Sequence, residues 1–129
     1  MDKDNLPLSE SEWKIMEYIW DHAPVSGRQV IEQMQKETGW KRTTTLTLLH
    51  RMEEKGAVRS CSEQGIKQYE AVLQKDNAVI AESRNFLKRV YSGSLSLMVS
   101  SLTQKHALSQ DEINQLYSIL KEAKDDSLS

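Results

Sequence analysis

Lys41, Arg42, Thr43, Thr44, Thr45, Thr47 and Arg51 crowd into one short stretch, and no Asp or Glu interrupts the chain from Thr38 to Met52. Cations in such a run can neutralise phosphates, while threonine hydroxyls can bond phosphates or base edges and their methyl groups can touch a thymine methyl. Threonine is a poor helix former because its branched side chain loses rotamer freedom. Four of them within five positions therefore do not serve helix stability. The plainer alternative is that Thr43 caps a helix and the basic residues form a solvated face. Charge alone does not separate the two, so the elements around the stretch must.

The stretch runs from Gly39-Trp40 to Lys55-Gly56 and reads as a helix with Leu46, Leu49 and Met52 on its buried face and Gly56 as its stop. Two helices precede it. Ser9-Glu10-Ser11-Glu12 has the spacing of a capping box and is followed by Trp13, Met16, Ile19 and Trp20 at helical intervals, predicting a first helix to about Trp20. Pro24 breaks it and biases Ala23 toward extended geometry. Ser26 and Gln29 repeat the box and open a second helix with Val30, Ile31 and Met34 inward, ending near Lys36. After Gly56 the period changes: residues 57–62 and 66–72 flank Glu63-Gln64-Gly65 as a β-hairpin whose glycine supplies a positive φ. Three helices and a hairpin, in that order, make a winged helix, and the third helix, with its polar, acid-free start, is its DNA reader. Lys67 then lies on the wing as a further phosphate contact.

From Asp76 the chain turns helical again, is interrupted at Ser92-Gly93, and resumes with an apolar segment from Leu95 to Leu102. Ser109-Gln110-Asp111-Glu112 opens a last helix. The apolar stripes of this half, with Ile80, Phe86, Leu87, Val90, Leu97, Met98, Leu102, Ile113, Leu116 and Leu120, exceed what a winged helix of about 75 residues can cover. They are expected to pair with a second copy. The expected layout is a mainly α chain with a small β-hairpin wing: a winged helix-turn-helix over 1–75, a helical dimerisation region over 76–124, and a flexible tail over 125–129.

A chain of 129 residues with net charge −2 meets a polyanion through a local patch, not through its overall field. The single cysteine, Cys61, excludes an internal disulfide and suits a reducing cytoplasm. The start, Met1-Asp2-Lys3-Asp4-Asn5, is polar with no apolar core behind it, and no run approaches the roughly 20 apolar residues of a membrane span. His22, His50 and His106 stand apart from one another, so no metal site and no cofactor are expected. No Ser-His-Asp pattern, phosphate loop or HExxH run is present, and catalysis is not expected. Trp13 and Trp20 read as core residues; Trp40 either wedges against the domain or lies over a phosphate.

Leu8-Ser9-Glu10-Ser11-Glu12-Trp13-Lys14-Ile15-Met16, Gly39-Trp40-Lys41-Arg42-Thr43-Thr44 through Leu49, Lys55-Gly56, and Leu108-Ser109-Gln110-Asp111-Glu112-Ile113 together resemble the penicillinase repressor family, which includes methicillin-resistance and copper-transport operon repressors. The resemblance covers nearly the whole chain. It implies a winged helix on a palindromic double-stranded DNA operator, a C-terminal homodimerisation region, and repression by blocking transcription. Within the family, β-lactam-responsive members are cut by a protease in the C-terminal region and copper-responsive members bind metal through a cysteine-rich tail. The tail here, residues 121–129, has no cysteine, which excludes that copper route. Where the β-lactam-responsive members resemble one another in an Asn-Phe scissile bond, an ungapped comparison places Ser101-Leu102, the candidate bond for a releasing protease. Two rival readings stand beside the repressor: a protein-interaction adaptor built on a winged-helix scaffold, and an activator or effector-gated regulator.

Overall fold

The computed structural model describes residues 6–128; the polar start Met1-Asp2-Lys3-Asp4-Asn5 and the terminal Ser129 lie outside them. Six helices and a small antiparallel sheet follow in the order α1 (Glu10–His22), β1 (Val25–Ser26), α2 (Gly27–Thr38), α3 (Arg42–Glu54), β2 (Val58–Glu63), β3 (Ile66–Ala71), α4 (Lys75–Tyr91), α5 (Leu95–Gln104) and α6 (Gln110–Leu128). The chain forms two compact units, one reaching to Arg84 and one starting at Asn85. The division between these units falls inside α4, whose Ala78 and Ala81 are buried. α6 runs to Leu128, so helix extends into residues 125–128, where a tail is expected from the sequence.

Local chemistry starts the helices. In α1 the Glu12 amide donates to Ser9 Oγ (3.1 Å) and the Ser9 amide to Glu12 Oε1 (2.8 Å), and Ser26 with Gln29 repeats the exchange for α2. Each box satisfies amides that a helix start would otherwise leave open. Gly39 closes α2 at φ 78°, a left-handed conformation that glycine adopts without steric cost. In the hairpin, Glu63 pairs with Ile66, leaving a two-residue loop of Gln64 and Gly65 with φ 51° and 79°. Positive φ at both loop positions matches the right-handed twist of the strands. The third strand, β1, was not foreseen: Val25 and Ser26 pair antiparallel with Tyr69 and Gln68, giving the sheet order β1-β3-β2.

The first unit closes over a core in which Ile15, Met16, Ile19, Val30, Met34, Leu49 and Met52 are fully buried, with Val25, Val58, Tyr69 and Leu73 nearly so. Each large aliphatic side chain removed from water this way stabilises by about 1.5–3 kcal/mol. Trp13 and Trp20 pack against the core edge to face, centroids 5.4 Å apart, and Trp20 Nε1 donates to the Leu73 carbonyl (2.8 Å). Among the described residues, one charged side chain enters this core. Glu12 is 2% exposed, and Lys55 Nζ, from the residue that ends α3, donates to its Oε1 (2.8 Å) and to the Pro7 carbonyl (2.9 Å). Burial works to raise the Glu12 pKa, but the Lys55 hydrogen bond, the Ser9 amide and the Lys55 charge outweigh it and hold the carboxyl below its ordinary value.

The second unit is built differently. Ser94 Oγ caps α5 by accepting from the Leu97 amide (3.0 Å), and Ser109 and Glu112 form the expected box at α6. Phe86 meets Tyr91 edge to face at 6.1 Å, and the Arg89 guanidinium lies 5.9 Å over the Phe86 ring. Yet none of residues 85–127 is fully buried.

Candidate nucleic-acid interface

α3 buries Thr45, Leu48, Leu49 and Met52. These positions fall at the i, i+3, i+4, i+7 spacing of one helix face. Two expectations are thereby corrected. Leu46, expected in the core, is 38% exposed, and Thr45, expected to face DNA, is wholly buried with no partner for its hydroxyl. The cause is the phase of the helix: the inward stripe begins at Thr45, which places Leu46 about 100° farther round, toward solvent.

The remaining candidates on α3 are exposed. Thr43, Thr44, Thr47 and Arg51, with the edge of Leu48, line a shallow concavity of about 310 Å³. Thr47 Oγ1 donates to the Thr43 carbonyl (2.8 Å), fixing its rotamer. His50, seven residues beyond Thr43, shares this outward face and was missed by the sequence reading; the same period that found the core would have found it. Its Nε2 lies 3.0 Å from Glu54 Oε1.

Charge is graded along the helix. Lys41 and Arg42 stand exposed at its start, where no side chain caps the first amides, unlike α1, α2 and α5, which each begin on a serine that accepts one. Open amides at a helix start attract anions. The acids at the far end are engaged: Ser60 Oγ donates to Glu53 Oε2, and Lys67 Nζ lies 3.4 Å from Glu53 Oε1. The Ser60 hydrogen bond, ahead of the opposing effect of burial and helped by the Lys67 charge, holds the Glu53 carboxyl below its ordinary value. Lys67 itself sits 5.3 Å over the Tyr69 ring and remains exposed.

Between α2, α3 and β3 runs a second, larger groove of about 820 Å³. Arg28, Arg42 and Lys67 contribute cations to it, Glu32 an acid that pairs with Arg28 at 3.1 Å, and Ile31, Leu46, Ile66 and Tyr69 an apolar lining. Arg28 was also missed, since it reads as a surface residue until the α2 start is placed beside α3. Trp40 packs, half-buried, against the core.

Elsewhere, among the residues expected to pair two copies, Ile80, Phe86, Val90, Leu97 and Leu120 are exposed and Leu87, Met98, Leu102, Ile113 and Leu116 half-buried. Ser101-Leu102 lies inside α5, with Ser101 Oγ 2.9 Å from the Met98 carbonyl and 3.4 Å from Tyr91 Oη. No helix among the described residues is long and apolar enough to cross a membrane.

A family model described as penicillinase repressor matches residues 8–122. The methicillin resistance regulatory protein MecI of Staphylococcus aureus is 32% identical over 120 residues, covering 93% of this chain and 98% of MecI. The penicillinase repressor of Bacillus licheniformis is 33% identical over 117 residues, 91% of each chain. Among solved structures, the monomeric form of Bacillus licheniformis BlaI in complex with the blaP half-operator is similar at a TM-score of 0.52 and 26% identity, covering 57% of this chain and 89% of that one.

Proposed function

Because the chain belongs to the penicillinase repressor family, we propose that it is a sequence-specific DNA-binding repressor that acts in the cytoplasm as a homodimer on a two-fold operator. The observation that carries the DNA reading is the first half of α3, where Lys41, Arg42, Thr43, Thr44 and Thr47 are exposed, no acid intervenes and no side chain caps the helix start. A major groove about 12 Å wide admits one such helix, read from its N-terminal turns. Thr43, Thr44 and Thr47 then face base edges, while Lys41, Arg42 and Arg51 hold phosphates. Lys67 joins them by exchanging Glu53 for a phosphate. The BlaI relative bound to a half-operator supports duplex DNA as the partner.

The homodimer rests on the exposed apolar residues of the second unit, among them Val90, Leu97 and Leu120 at 51%, 51% and 63% exposure. Apolar surface of that extent calls for a covering partner, and two operator half-sites call for two winged helices. Release by a protease is the finer expectation for Ser101-Leu102. The bond sits within α5, so cutting it requires that helix to unwind locally, and an N-terminal fragment ending at Ser101 in the mass spectrum of induced cells is its signature.

A salt series of anisotropy titrations on the promoter of the chain's own operon tests the central reading. Saturable binding that outcompetes unrelated duplex is expected. Weak binding that salt abolishes equally for both duplexes would overturn it in favour of an adaptor. Sedimentation of the protein as a monomer at micromolar concentration would remove the homodimer.

A further inference from the structure

We propose that Leu46 reads the methyl group of a thymine in each operator half-site, an inference that rests on the DNA-binding reading above. Leu46 lies in the N-terminal half of α3, between Thr43 and Thr47 in sequence, on the portion of the helix that the proposed function turns toward base edges. The inward face is complete without it, because Thr45, Leu48, Leu49 and Met52 fill the core, and Leu46 stays 38% exposed. It opens onto the groove that also holds Ile66, 55% exposed on the wing, with Arg28, Arg42 and Lys67 as the cations around them. Two exposed aliphatic residues beside Arg42 and Lys67, with Arg28 paired to Glu32 at the groove's α2 side, fit a polyanion that carries apolar groups better than they fit an apolar protein segment.

Duplex DNA meets that description. In the major groove the C5-methyl of thymine is the apolar feature a base presents, and the other base edges present hydrogen-bonding groups. A leucine cannot bond donors or acceptors, so the one discrimination it can make is methyl against none. Phosphates held by Arg42 and Lys67, which line the same groove, would fix the depth at which Leu46 meets the base. Leu46 is thus a specificity-determining residue, while the cations around it set affinity without regard to sequence.

The test begins with duplexes selected from a random pool by the full chain. Each thymine of the selected site is then replaced singly by deoxyuridine, which removes only the methyl group. In each half-site one replacement should weaken wild-type binding about fourfold, the worth of one buried methyl. The same replacement should leave Leu46→Ala unchanged, and Leu46→Ala should bind the unmodified site as wild type binds the deoxyuridine form. Wild type indifferent to every thymine methyl overturns the inference, a result that needs no variant to fold. Equal weakening of wild type and Leu46→Ala also overturns it, since the methyl would then act through duplex shape or through Ile66. Failure to enrich any duplex removes the DNA-binding reading and this inference with it, whereas the other two outcomes leave that reading intact.

Discussion

Up to Arg84, α1, α2 and α3 bury Ile15, Met16, Ile19, Met34, Leu49 and Met52 completely, while from Asn85 to Ser127 no side chain is fully buried. Both stretches are rich in apolar residues, so composition does not explain the difference. In the first unit the helices cross with a sheet behind them and close over one core; in the second, α5 and α6 keep Leu97, Ile119 and Leu120 on their outer surfaces. A finished domain can present a polar reading surface. A unit with its apolar side open calls for a covering partner, and the homodimer proposed above would supply one.

If the first unit is self-sufficient, its weakest point is the charge inside it. Lys55→Ala should leave Glu12 buried without its cation and cost about 3 kcal/mol in urea unfolding. The same pair sets the acid limit. The Glu12 pKa is lowered in the fold, so the unfolded chain binds the proton first as pH falls. The pair's stabilisation is therefore present above the ordinary glutamate range and lost as pH drops through the lower folded value. In Lys55→Ala this acid dependence should be much weaker; an unchanged slope would mean that another group governs it.

The second unit should respond in the opposite sense. Leu120→Asp, at a residue 63% exposed, should leave the urea midpoint of the first unit unchanged while weakening self-association by about 2 kcal/mol, roughly the worth of one leucine buried at an interface. A shift in the unfolding of the first unit would break the division between the two units. Unchanged sedimentation would place the dimer surface elsewhere.

Arg42→Ala touches only the proposed reading surface. It should lower operator affinity about tenfold at physiological salt and reduce the salt slope by about one phosphate contact. Stability should stay as it was, since Arg42 is exposed.

Much of this was legible because it is local. The Ser-x-x-Glu and Ser-x-x-Gln boxes fix the starts of α1, α2 and α6 within four residues of sequence, and Gly65 marks the hairpin with no help from the rest of the chain. What depends on distant packing was not legible. β1 is two residues long, too short for any periodicity, and exists through its pairing with Tyr69 and Gln68. The phase of α3 was set by apolarity at Leu46, Leu49 and Met52, and so misplaced by one residue at its first turn. A threonine in the core and a leucine at the surface defeat any reading that equates polarity with exposure. Arg28 and His50 needed the helix phase and the approach of α2 to α3.

Thr45 gives the finest test of that phase. Its Oγ1 is buried without a hydrogen-bond partner, so valine, of nearly the same shape, removes a hydroxyl that the fold leaves unsatisfied. Thr45→Val should therefore stabilise the first unit by about 1 kcal/mol. Operator affinity and its salt slope should be those of wild type, because a wholly buried side chain cannot touch a base. Thr44→Val changes the same atoms one position away, where the side chain is exposed, and there the sequence preference should relax with no gain in stability. Were Thr45→Val to lose operator specificity as Thr44→Val does, α3 would be turned from the phase that buries Thr45 and exposes Leu46, and the division of the helix into a packed face and a reading face would have to be redrawn.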